Sequence, residues 1–147
     1  METRTGDSLD QQVHGWSRRL WRDLVDADFL DALRDAVAAD VLPHADAIDR
    51  DDVYPVESIK KLARKGYTSL TLDARWGGSG ASFERCAAVF EEASYASAAV
   101  GISLITILQA QTLIRMFGRP SLQEAVLPEF RQGLVTAYAL TEANHGS

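Results

Sequence analysis

A chain of 147 residues with 46% hydrophobic and 24% charged side chains is one domain, or one domain and the start of another, with enough apolar material for a core. Its formal net charge of -6 speaks against nucleic-acid binding, which rests on neutralising phosphates with Lys and Arg. Cys86 is the single cysteine, which excludes an internal disulfide and a cysteine-based zinc site; residues 1–13 are polar and lack a signal-peptide core, so a cytoplasmic protein without membrane insertion is expected.

Residues 1–15 are polar and read as a mobile tail. From 16 to 42 apolar residues fall at three- and four-residue steps (Leu20, Leu24, Phe29, Leu30, Leu33, Val37, Val41), which predicts helix, broken near Ala27 with Asp28 as a fresh cap. Pro43 ends that run, because the residue before a proline is pushed out of the helical region. A charged connector is expected over 44–53. Pro55 then suits the first turn of a short helix, with Ile59, Leu62 and Ala63 on one face and Gly66 closing it. Residues 67–72 alternate loosely and fit an extended segment.

Gly77, Gly78 and Gly80 predict a turn, and Ser82 with Arg85 beyond it opens the next helix. Two buried helices are expected over 83–117, one with a stripe of Phe83, Ala87, Phe90 and Ala93, the other carrying Val100, Leu104, Ile107, Leu108 and Leu113. The most apolar stretch, 98–108, is too short to span a bilayer. After Gly118 and Pro120, Ser121 and Glu124 form a capping-box pattern for a last helix, 122–130, which Gly133 closes. Residues 135–140 read as a strand. The expected fold is all-α, a bundle of five or six helices followed by one orphan strand. Its unpaired backbone groups call for a docking partner or further chain.

The glycine cluster lacks the preceding strand and βαβ setting of a dinucleotide fingerprint, so it reads as a tight turn. His14, His44 and His145 stand at no metal-ligand spacing, and no metal site is expected. Cys86 reads as a small core residue, and Glu91 and Glu92 as a solvated helix surface. Thr141, Gly146 and Ser147 offer hydroxyls and approachable amides, which suit either a polar β-turn or the edge of a flavin or pyrophosphate.

In chain order, the helix end Val41-Leu42-Pro43, the helix start Tyr54-Pro55-Val56-Glu57 and the step Leu62-Ala63-Arg64-Lys65-Gly66-Tyr67 come first. Trp76-Gly77-Gly78-Ser79-Gly80, then Phe117-Gly118, Leu127-Pro128 and Gly133, and last the segment from Ala139 through Leu140, Thr141, Glu142, Ala143, Asn144, His145 and Gly146 to Ser147 follow. At this spacing, from about Phe29 onward, the chain resembles the acyl-CoA dehydrogenase family. The resemblance implies a helical N-terminal domain over 16–133 and the start of a middle β-domain over 134–147, with FAD held between domains and between subunits.

By position, Tyr138, Leu140 and Thr141 would lie along the flavin ring, and Gly146 and Ser147 would approach the pyrophosphate. Ser147 would also lie near the acyl-thioester substrate. Ile105, Thr106 and Gln109 would wall the acyl-tail cavity. Departures are His145 where the family has a small residue, Ala143 for a proline, and Asp73-Ala74 for Pro-Glu.

In the family a carboxylate removes the proton α to a thioester carbonyl while hydride leaves the β-carbon for flavin; that base belongs to a later domain, so no residue here is assigned as catalytic. The expected function is the N-terminal portion of an FAD-dependent dehydrogenase of acyl-CoA or acyl-carrier thioesters. The alternatives are a flavin-dependent monooxygenase or oxidase on the same fold, and a non-enzymatic helical binding or assembly fragment. A homo-oligomer, or association with a chain that supplies the other domains, is expected, with self-association through an exposed apolar patch.

Overall fold

The computed structural model describes residues 9–139, 141 and 143, and among these the regular structure is entirely helical. The helices are α1 (Leu9–Leu24), α2 (Ala27–Asp40), α3 (Ala45–Asp51), α4 (Val56–Arg64), α5 (Phe83–Ala96), α6 (Ala98–Phe117) and α7 (Pro120–Val126). Short 3₁₀ turns at Leu42–His44, Ala74–Trp76 and Leu127–Gln132 complete the set. Five of the helices have nine residues or more, as the all-α reading expects.

Helix boundaries follow local chemistry. Asp26, not Asp28, caps α2: its carboxylate accepts the Phe29 amide at 2.8 Å, satisfying a donor that a helix start leaves orphaned. Ser82 caps α5 by accepting from Arg85 N, as its sequence position suggests. Gly66 (φ 92°) and Gly133 (φ 90°) end their segments in the left-handed region, which a side chain disfavours.

Several expectations shift. Helix α1 begins at Leu9, so part of the expected tail is helical; residues 1–8 lie outside the described residues. The connector expected over 44–53 contains α3, which forms because Pro43 opens a 3₁₀ turn leading straight into it and Ile48 turns into the core. Residues 67–72 form turns rather than an extended segment. The Ser121–Glu124 capping box is replaced by Pro120 at the start of α7, where its missing amide hydrogen costs nothing. Residues 134–139 are not assigned as strand, because a strand is defined by a pairing ladder and none is present among the described residues.

The core is built around α5 and α6, an antiparallel pair joined through the single residue Ser97. They approach closely at Gly101, where a Cβ would lie 1.9 Å from Ser94 Oγ. Leu30 and Leu33 of α2, Ile59 and Leu62 of α4, and Leu127 and Phe130 of the last 3₁₀ turn close the core. Each such fully buried side chain contributes about 1.5–3 kcal/mol.

The buried face of α5 is Cys86, Val89, Glu92 and Ala93, rotated from the expected stripe, and Phe83 is 82% exposed. The apolar stretch 98–108 lies within helix α6, whose 20 residues are long and apolar enough to cross a membrane by length and composition alone. In this fold it is a core helix that buries Val100, Leu104, Ile107 and Gln111.

Candidate functional site

Helix α6 presents two faces with different jobs. Its inner face packs into the core. Its outer face runs through Ile102, Thr106, Gln109, Leu113 and Met116, residues at the three- and four-residue steps that share one side of a helix. Ile102, Leu113 and Met116 are exposed, Ile105 and Thr106 half-buried, and Gln109 exposed. The first charged side chain on α6 is Arg115, so this strip is uncharged for most of its length. The helix hydroxyls do not add donors to it. Ser103, Thr106 and Thr112 donate to the carbonyls of Ala99, Ile102 and Leu108 at 2.7, 2.8 and 2.9 Å.

The chain returns to this strip after the last 3₁₀ turn. Leu134 packs against the core, and the Thr136 hydroxyl donates to the Thr106 carbonyl at 3.3 Å. Val135 and Ala137 point outward while Leu134 and Thr136 are half-buried, the period-two alternation of extended backbone. Tyr138 and Thr141 are exposed beyond that anchor. Of the sequence candidates, then, Ile105, Thr106, Gln109 and the segment bearing Tyr138 share one region. Leu140, Gly146 and Ser147 lie outside the described residues.

The glycine turn is not an anion cradle. Gly77 N–H donates to Ala74 O at 3.0 Å, Gly78 N–H to Asp73 O at 3.2 Å and Gly80 N–H to Leu72 O at 2.9 Å. Amides bonded to their own backbone cannot hold a phosphate. Gly78 has no alternative residue: a Cβ there would meet Leu72 O at 2.0 Å. Cys86 is buried, and burial pushes its thiol pKa up, away from the reactive thiolate.

The feature that sequence reasoning missed is a buried charge cluster on α5. Glu92 is 2% exposed, accepts from Arg18 Nε and Nη2 at 3.2 and 3.0 Å and from Arg34 Nε at 2.9 Å, and lies 3.4 Å from His14 Nε2. Burial alone would raise its carboxyl pKa; the hydrogen bonds and charges of Arg18 and Arg34 outweigh that and hold it below the ordinary value. His14 moves the other way from a simple ion pair. Burial, then the Arg18 charge, lower its imidazole pKa against the pull of Glu92. The sequence held one clue: Glu92 stands three residues from Val89 and beside Ala93, on the buried stripe.

An open groove of about 260 Å³ lies where α3 meets α4, lined by Ile48, Val53, Tyr54, Pro55 and Val56 among others. It shares no residue with α6 or with 134–139.

Residues 25–133 match the family described as Acyl-CoA dehydrogenase, N-terminal domain. The chain is similar to the acryloyl-CoA reductase (NADH) of Anaerotignum propionicum, with 36% identity over 107 residues, covering 71% of this chain and 27% of that protein. It is similar to the cyclohex-1-ene-1-carbonyl-CoA dehydrogenase of Syntrophus aciditrophicus, with 29% identity covering 80% and 29%. It is also similar to an acyl-CoA dehydrogenase of Bacillus subtilis, with 30% identity covering 78% and 31%. The chain spans less than a third of the length of these relatives.

Proposed function

This chain belongs to the acyl-CoA dehydrogenase family, whose N-terminal domain it carries at residues 25–133, and on that premise we propose that it is the N-terminal portion of an FAD-dependent enzyme that introduces an α,β double bond into an acyl-CoA or acyl-carrier thioester. The observation that carries this reading is the uncharged outer strip of α6 with an extended segment anchored along it through Thr136 and Thr106. A flat, largely apolar ring system and an acyl tail both need such a surface: apolar, rigid and free of competing charge.

The described residues fit part of that role. Tyr138, Val135 and Thr141 are exposed on the segment that Thr136 ties to Thr106, and in this reading they would offer apolar area and a hydroxyl to the flavin. For the pyrophosphate end the proposal rests on Gly146 and Ser147, by resemblance. When bound, FAD would supply the two-electron oxidant.

The work of this chain's own side chains is positional. Ile102, Ile105 and Thr106 would exclude water from the acyl tail, and Gln109, the polar group on the strip, would bound the depth to which the tail runs. Proton abstraction is assigned to a carboxylate outside these residues, so the chain alone should bind flavin weakly and turn over no acyl-CoA. A cytoplasmic, homo-oligomeric enzyme is part of the same proposal.

The test uses the complete enzyme that contains this chain. Loaded with FAD, it should lose its flavin absorbance on addition of a saturated acyl-CoA, and Ile105→Trp should shorten the longest chain accepted. No bleaching with any acyl thioester would sink the activity; an unchanged chain-length preference would sink the role of α6. The reductase name borne by the Anaerotignum propionicum relative favours a second reading, reduction of an α,β-unsaturated thioester, for which NADH-dependent loss of enoyl absorbance is the readout.

A further inference from the structure

Helix α1 lies outside the family match, which begins at residue 25, and it is docked inside out. Its inward face is His14, Arg18 and Trp21, at helical four- and three-residue steps. These residues hold α5: Arg18 forks onto Glu92, the Trp21 indole N–H donates to Glu91 at 3.0 Å, and the His14 ring stacks on Tyr95. The opposite face carries Trp16, Leu20 and Leu24, exposed by 59%, 44% and 62%. A helix attached through its basic and indole groups, with its apolar stripe in water, is built to be covered by something else.

We propose that the stripe is covered by α1 of a second copy of this chain, packed antiparallel with the two Leu20 side chains on the two-fold axis. Three observations select this occupant. The stripe spans nine residues, about 12 Å from end to end along the helix, and reads almost alike from either end, so reversal sets Trp16 against the partner's Leu24. In that register the flanking charges also match. Arg19 and Asp23, both exposed and on the same edge of the stripe, each lie two residues, about 3 Å along the axis, from the other in the facing helix, within side-chain reach of two Arg–Asp pairs.

The third is the net charge of -6, which disfavours the competing occupant, an anionic membrane surface. A single helix pair is small for an interface, so the contact belongs to the weak, reversible class.

The experiment is sedimentation equilibrium on the 147-residue chain, with helix content and thermal midpoint followed in parallel to establish that each variant is folded. The chain should dimerise in the micromolar range, and Leu20→Glu, which would set two carboxylates together on the axis, should weaken dimerisation at least tenfold at unchanged helix content. Arg19→Asp and Asp23→Arg should each weaken it several-fold, while the double exchange restores it. Leu20→Cys should cross-link two copies under mild oxidation, with the buried Cys86 silent.

A monomer at all concentrations would overturn the proposal. So would a dimer indifferent to Leu20→Glu, which would place association on another surface such as the α6 strip. Binding to phosphatidylglycerol vesicles by a chain that stays monomeric would overturn it in favour of a membrane role.

Discussion

Replacing Glu92 with Gln keeps the side chain's shape and removes its charge, which isolates the electrostatic part of the α1–α2–α5 junction. The carboxylate receives bonds from two guanidinium groups of unequal worth. Arg34 is 13% exposed and its bond to Glu92 counts nearly in full, whereas Arg18, at 42%, is screened by solvent. The amide oxygen can still accept from both Nε groups but carries no charge, and the N–H₂ in place of Oε2 would face Arg18 Nη2, a donor. With roughly 1.5–3 kcal/mol for a buried charge-assisted bond and under about 1 kcal/mol for the screened one, Glu92→Gln should destabilise the fold by about 2–3 kcal/mol. At this chain length each kcal/mol moves Tm by roughly 2–4 °C, so the midpoint should fall by about 4–12 °C at pH 7.

The pH dependence gives the sharper check. The folded-state carboxyl titrates below its unfolded value, so its stabilisation is fully present above about pH 4.3 and is lost as pH falls through the folded value. Urea unfolding of both proteins at pH 7, 5, 4 and 3 should show a gap that holds to about pH 5 and then narrows as the wild type loses its advantage. Equal stability at pH 7, or a gap independent of pH, would refute the view that ion pairing holds this junction. Arg34→Met in the Glu92→Gln background should then cost little more than either change alone, because both break one contact.

Three further outcomes follow from the core. Gly78→Ala should destabilise by more than about 2 kcal/mol in urea unfolding, because its Cβ would meet the Leu72 and Ser69 carbonyl oxygens at 2.0 and 2.4 Å; Gly80→Ala, with nothing within 4 Å, should cost less. Gln111→Leu should cost about 1–3 kcal/mol by leaving the buried Thr68 carbonyl without its amide donor, despite the gain in side-chain hydrophobicity. Cys86 should resist a thiol reagent in the native protein and react at the rate of global opening, since it is buried and its thiol pKa is raised; fast native labelling would contradict its place in the core.

What the sequence made legible was whatever local chemistry decides. Ser82 as a cap, Gly66 and Gly133 as stops, the glycine turn and the α5–α6 pair all stand where residue type puts them. Tertiary context decided the rest. Charge density hid α3, whose one buried apolar residue is Ile48. Two plausible stripes differ on α5 by one step around the helix, and packing against α2 and α6 selected the one that carries Glu92 inward. A carboxylate reads as surface until two arginines distant in sequence are known to meet it. The candidate site was legible only through ordered family resemblance; the outer face of α6 became visible once its inner face was known.

The loop over 67–81 has a consequence for how this protein can vary. It is fixed largely through main-chain carbonyls. Gln111 donates to Thr68 O, Arg115 to Thr71 O at 3.0 Å, Ser69 to Gly77 O at 3.1 Å and Ser79 to Leu70 O at 3.3 Å. A carbonyl is offered by any residue. Most exposed side chains of this loop can therefore drift without loosening it, whereas Gln111 and Arg115, lying on a helix some forty residues away, cannot change so freely. Mutational tolerance in this molecule should track where the donors sit: exposed loop residues that donate no such bond, such as Asp73 and Ala74, should prove permissive, whereas Ser69, Gly78 and Ser79 in the same loop should not.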